Sequence, residues 1–161
     1  MTAGREQSFD TEADYAAAID AVLIATQQSV CVFDNDLVGM GLEQPARCTT
    51  LGQILSAHPE GRLRMVLHDP QPLERGMPRL LKLLQRHSDR MEVRQSPLQL
   101  RHLSDCFLLG DVGHGVLRFH ARHARGKYLL DDVDALQPWH QRFAELWEAA
   151  TPCLGATRLG L

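Results

Sequence analysis

The residues able to do chemistry fall into three groups. At 30–37 the run VCVFDNDL closes a short apolar stretch with Asp34 and Asp36. Two carboxylates at a strand exit can act as nucleophile and acid/base beside a divalent cation, or can accept hydrogen bonds from the turn that follows. Three of the 8 histidines, His114, His120 and His123, lie close together just after Asp111. His120 and His123 fall on opposite faces of a strand that holds both, and no HExxH framework accompanies them, so neither a metal site nor a cofactor is expected. The third group is SDCFLLGDVGHGVLRFHARH, Ser104 to His123, which reads as a hairpin edged with acids, bases and imidazoles. Arg101, His102, Asp105, Asp111, Arg118, His120 and Arg122 are its candidate cleft residues, and the guanidinium groups of Arg101 and Arg118 suit a phosphate or carboxylate. The competing reading is that Arg118 simply pairs with Asp111 or Asp105 across the strands.

These groups depend on the elements that carry them. Residues 1–9 are expected to be disordered, and 10–161 to form a single domain. Asp10 or Thr11 caps a helix in which Tyr15, Ala18, Ile19, Val22 and Leu23 recur at helical spacing to about Gln27. Val30 to Phe33 is a buried strand. Thr49 or Thr50 opens a short helix to about His58, and GRLRMVLHD returns as a second strand. Pro72 and Pro78 introduce a third helix ending near His87, followed by the strand MEVRQS. Cys106 to Gly110 and Val116 to His120 form the hairpin, joined by DVGHG. After a short run at KYLL, the last helix sets Leu136, Trp139, Phe143, Leu146, Trp147 and Ala150 on one stripe. Strands separated by helices, then a hairpin and a closing helix, predict an α/β fold with a mixed β-sheet flanked by helices.

Composition narrows the functional classes. The chain has 161 residues, 44% hydrophobic and 23% charged, and no apolar run approaches the roughly 20 residues that span a bilayer. No membrane role is expected. The opening MTAGREQSFDTEADYAAAID lacks the basic-then-apolar order of a signal peptide, so a cytoplasmic location is expected. Cys31, Cys48, Cys106 and Cys153 form no CxxC pair and read as reduced thiols. The net charge of -3 hides an asymmetry, since Arg62 to Lys127 holds 13 Lys/Arg against 6 Asp/Glu while the flanks hold 4 against 14. A basic centre of this kind either faces an anionic partner such as a nucleic acid or packs against its own acidic flanks. Aromatic interleaving is missing, so nucleic acid is not the favoured partner.

Two resemblances bear on these residues. VCVFDNDL resembles the nucleophile motif of haloacid-dehalogenase-like phosphohydrolases, which would give Asp34 and Asp36 catalytic roles. The next strand, however, ends in His68 and Asp69 where that family carries Ser or Thr, and FLLGD and YLLDD sit on a hairpin. SDCFLLGD with GVLRF resembles the signature region of phospholipase D-like proteins, His-x-Lys followed after four residues by Asp. Aligned on Asp111, the histidine nucleophile falls on Ser104 and the charge-stabilising lysine on Cys106, and the Gly-Ser step is absent. The wider order, from VFDNDL through LRMVLHDPQPLERGMPRLLKLLQRHSDRMEVR, DCFLLGD, VLRFHAR and FAELWEAATP, is similar to an uncharacterised proteobacterial domain family of degenerate phospholipase D-like type. It covers Ser29 to Leu161. The resemblance implies a phospholipase D-like sandwich, a degenerate, non-catalytic site, a binding, regulatory or assembly role, and a homodimer or protein partner with a phosphate-containing ligand.

Overall fold

The computed structural model describes residues 4–154. Its eight strands form one mixed sheet in the order β1-β7-β6-β5-β2-β3-β4-β8. In chain order these are β1 (Arg5–Phe9), β2 (Ser29–Asp34), β3 (Arg62–Leu67), β4 (Met91–Gln95), β5 (Cys106–Gly110), β6 (His114–His120), β7 (His123–Leu130) and β8 (Thr151–Leu154). The central trio β2, β3 and β4 runs parallel, and every other pairing is antiparallel. The helices are α1 (Glu12–Ala25), α2 (Pro45–Ala57), α3 (Gln71–Gly76), α4 (Pro78–Arg86) and α5 (Val133–Ala149). The architecture is therefore α/β, and no helix among the described residues is long and apolar enough to cross a membrane.

Alternation along the central strands divides the core between the two faces. Val30, Val32, Leu63, Met65 and Leu67 pack with α1, α2, α3 and α4 through Ile19, Leu51, Leu73 and Leu80. Cys31, Phe33, Val66 and Phe107 pack on the other face against α5 through Leu136, Phe143, Leu146 and Trp147. A strand covered on both sides reads as a continuous apolar run, which explains VCVF. Burying side chains such as Phe33 and Phe107 contributes roughly 1.5–3 kcal/mol each, and both are fully buried.

Several elements depart from the sequence reading. Of the residues 1–9 expected to be disordered, Arg5–Phe9 form a strand that pairs with Gly126–Leu130 along five register positions, and 1–3 lie outside the described residues. The residues of this strand are nearly all polar, so periodicity hides it. Glu6 bonds Lys127 at 2.6 Å, Gln7 accepts from Tyr128 at 2.9 Å, and Phe9 alone of the strand is buried. Helix α2 starts at Pro45 rather than at Thr49 or Thr50, because those hydroxyls donate back to the carbonyls of Pro45 and Ala46 from inside the helix. The third helix is two helices, since Pro78 pushes Met77 out of helical geometry, to φ -126 and ψ 69. Glu43 then caps the second piece, accepting from the backbone of Arg79 and Leu80 at 3.0 Å. Strand β8, which carries Pro152 as an edge strand can, pairs with β4 with a register shift between Val93 and Arg94.

Candidate functional site

The parallel strands β2, β3 and β4 end where β5 begins and β6 finishes, because β5 runs antiparallel to β2 and Cys106 pairs with Arg118. Asp34, His68, Ser96, Cys106 and Arg118 therefore gather at one edge of the sheet. Edges of this kind, at the carboxyl ends of parallel strands where the sheet changes direction, commonly form crevices. A cavity of about 340 Å³ opens here. Four of the candidates read from the sequence, Arg101, Asp105, His120 and Arg122, line it together with Asn35, His68, Ser104 and Cys106.

The other three candidates lie elsewhere. His102 is exposed and outside the cavity lining. Asp111 sits at the far end of β5, with φ 49. Its carboxylate accepts from the backbone N–H groups of Gln27, Gln28 and Ser29 at 2.8, 2.9 and 3.0 Å, so it ties the start of β2 to the hairpin turn. Arg118 neither pairs with Asp111 nor with Asp105. Its buried guanidinium makes a two-pronged contact with Glu12 at 3.0 and 2.9 Å, donates to the carbonyls of His120 and Ala121, and lies 4.6 Å from the centre of the Tyr15 ring. Asp105 is bound instead by Arg142 at 2.8 Å.

At the base of the cavity the Cys106 thiol hydrogen-bonds to Asp34, and burial, followed by the Asp34 charge, pushes that thiol well above its usual range. Burial also raises the Asp34 carboxyl. Asp34 caps the turn by accepting from Leu37 N–H at 3.0 Å, and Asp36 does the same for Val38. Both acids thus serve local backbone. His68 is buried against the edge of Phe33. Its Nε2 must donate to the Leu103 carbonyl at 2.8 Å, since a carbonyl oxygen only accepts, and Nδ1 then accepts from the Ser96 hydroxyl. That Ser–His contact resembles an activated nucleophile, but Ser96 is only 4% exposed and is absent from the cavity lining.

His120 and His123 face each other with ring centres 5.4 Å apart, closer than the alternation of one strand allows, because β6 and β7 meet at a bulged turn there. Among the described residues no three of His, Cys, Asp and Glu come together as a metal set. Sequence reasoning did not select His68, Ser96, Glu12 or Tyr15 as parts of this site. Only His68 carried a usable signal, as the residue following a strand parallel to β2.

A family model described as a domain of unknown function, DUF7931, matches residues 11–159. The chain belongs to that family. No curated protein matches this DUF7931 chain. Among solved structures, NucT from Helicobacter pylori superposes with a TM-score of 0.66 at 9% identity, over 94% of this chain and 100% of that one. Nuc from Salmonella typhimurium, a phospholipase D family member, gives 0.57 at 8% identity, over 94% and 99%. TrmBL2, an archaeal chromatin protein with a novel mode of DNA binding, gives 0.65 at 14% identity, over 92% of this chain and 54% of that chain. The DUF7931 chain thus spans about half the length of TrmBL2. The likeness is one of fold, and the fold is phospholipase D-like.

Proposed function

We propose that this DUF7931 domain binds a phosphate-like anion at the mouth of the cleft and does not turn it over. The observation that supports this reading best is how the inner charges are used. Cys106 stands where the phospholipase D-like signature carries lysine, and its thiol is turned to the buried acid Asp34. The inner cation Arg118 is engaged by Glu12. Arg101 and Arg122 remain exposed at the mouth beside His120, and their forked donors match an oxyanion. Calorimetric titration with inorganic phosphate and with a phosphodiester at low ionic strength tests the proposal. Saturable binding is expected, weakened about tenfold in Arg101→Gln or Arg122→Gln, as loss of one charge-assisted contact implies. Undiminished binding in the double variant contradicts it.

A second reading is favoured by the continuity of the cleft. A neighbouring cavity of about 580 Å³ shares His120 and Arg122 with it and runs past Phe119, His123 and Arg125. Phe119 is 51% exposed, so a nucleic-acid base could stack on it while phosphates meet the arginines. TrmBL2, described as binding DNA, has a similar fold. This reading predicts binding of single-stranded DNA or RNA that falls steeply with salt; binding indifferent to salt counts against it. The phospholipase D-like resemblance also supports association of two copies, which sedimentation would register as twice the 18.0 kDa chain mass.

A further inference from the structure

At the opposite edge of the sheet, one arginine breaks a rule that the other non-exposed arginines of the described residues keep. The non-exposed arginines of the described residues are Arg47, Arg64, Arg90, Arg94, Arg118 and Arg142. Arg47 has Asp20 at 2.8 Å, Arg90 has Asp89 at 3.7 Å, Arg94 has Glu92, Arg118 has Glu12 at 2.9 Å and Arg142 has Asp105 at 2.8 Å. Arg64 makes no ion pair among the described residues, since Glu92, opposite it on β4, is turned to Arg94. The Arg64 guanidinium lies 5.9 and 5.6 Å from the ring centres of Phe143 and Trp147 and hydrogen-bonds the Cys31 thiol. Aromatic faces and a thiol compensate a partly desolvated cation only weakly.

The surroundings of Arg64 are open. Arg62 lies two residues earlier on β3 and so projects from the same face. It too has no ion pair among the described residues. Two adjoining cavities, of about 490 and 290 Å³, share Arg62, Arg64, Asp89 and Arg90. Asp89 is paired with Arg90, and Glu92, the cross-strand neighbour of Arg64, with Arg94, which leaves Glu60 as the remaining lining acid beside two guanidinium groups that lack an ion pair. Ser29 and Cys31 on β2 form the opposite wall, and Trp147 closes the side nearer α5.

We propose that Arg62 and Arg64 form a second anion site, distinct from the mouth at the other edge, which takes the phosphoryl group of a small phosphomonoester. A dianion neutralises both cations at once, whereas a carboxylate neutralises one, and two guanidinium forks offer more donors than one carboxylate can use. Arg64 is held by the two rings before the ligand arrives, so little side-chain freedom is lost on binding. A site of this size accommodates a phosphorylated small molecule and not a protein surface.

Trp147 reports on the site directly, since it lies against both Arg64 and Arg94, 4.0 Å from the latter. The experiment is a fluorescence titration of the full chain with inorganic phosphate, glycerol phosphate and acetate at low ionic strength. Phosphate and glycerol phosphate are expected to give a saturable change that disappears in Trp147→Phe, with acetate at least tenfold weaker. Arg64→Gln should weaken the phosphate response about tenfold or more, and exposed Arg62→Gln, which leaves the packed rings untouched, should do the same in a protein that melts like wild type. Arg122→Gln should leave it unchanged. The proposal is overturned if no saturable signal appears, if acetate matches phosphate, if the Arg62 variant titrates like wild type, or if Arg122→Gln removes the response. Because the two sites have separate variants, failure here leaves the mouth to be judged by its own titration.

Discussion

Replacing Asp111 with alanine separates a structural acid from a functional one. In the folded chain its carboxylate accepts three backbone N–H groups, from Gln27, Gln28 and Ser29. The bond from Gln27 is exposed and those from Gln28 and Ser29 are partly buried, so water replaces the first and serves the others poorly. Counting only the two partly buried bonds at about 1.5 kcal/mol each gives a loss of about 3 kcal/mol for Asp111→Ala. Residue 111 also has φ 49, in the left-handed region. Asp111→Gly should therefore recover about 1 kcal/mol relative to alanine, and Asp111→Asn, whose carbonyl oxygen can still accept from Gln28 and Ser29, should cost least. For a chain of this length about 3 kcal/mol corresponds to a fall in Tm of roughly 6–12 °C. Thermal denaturation followed by circular dichroism measures the series, and phosphate titration of the same proteins should show affinity unchanged. A Tm for Asp111→Ala within about 1 °C of wild type, or a folded variant that no longer binds phosphate, would refute this reasoning.

Other perturbations follow from the same geometry. The hydrogen bond to Arg118 holds Glu12 below its ordinary value of 4.5, so its stabilisation is complete above that value and fades as pH falls through the lower folded one. Since the Glu12 side chain is 67% exposed, screening limits the effect to about 1 kcal/mol; the Tm gap between wild type and Glu12→Gln should be present at neutral pH and close in acid. Burial raises Asp34, so its contribution is lost as pH rises through its folded value, and Asp34→Asn should gain on wild type with rising pH while staying within about 1 kcal/mol of it at neutrality. Asp34→Ala, which leaves the Leu37 N–H unpaired, should cost about 2 kcal/mol; equal melts for the two variants would discount the capping role. A Cβ at Gly126 would overlap the Leu117 carbonyl oxygen and press on the Phe9 ring, so Gly126→Ala should cost about 3 kcal/mol and expose residues 5–9 to rapid hydrogen exchange.

Much of the architecture was legible because burial writes itself into periodicity. The apolar face expected for the first helix, Tyr15, Ala18, Ile19, Val22 and Leu23, is the face that α1 buries. The strand expected at Val30 to Phe33, which lies within β2, announced itself as an apolar run, and that of GRLRMVLHD, which holds β3, by Leu63, Met65 and Leu67 at every second residue. Strand β1 did not, because an edge held by backbone pairing, one ion pair and one tyrosine hydroxyl needs no apolar alternation. The site was less legible because sequence proximity misleads in a hairpin. Asp111 and Arg118 are seven residues apart, but Arg118 lies opposite Cys106, four residues down the strand from Gly110, or about 13 Å at the usual rise. Glu12, the actual partner of Arg118, is 106 residues away and has no local signature. The charge segregation was informative in its plainer sense: Glu6, Glu12 and Glu43 from the acidic flanks pair with Lys127, Arg118 and Arg79 from the basic centre.

The central claim, an anion bound at the mouth without turnover, is tested most directly by following a phosphodiester with phosphorus NMR in the presence of the purified protein. Binding and chemistry are then read from one sample. The expected diester resonance broadens or shifts saturably, loses that response in the Arg101→Gln, Arg122→Gln double variant, and is never joined by a phosphomonoester signal. A growing monoester resonance with the wild-type protein, or a diester resonance that the protein leaves untouched, contradicts it.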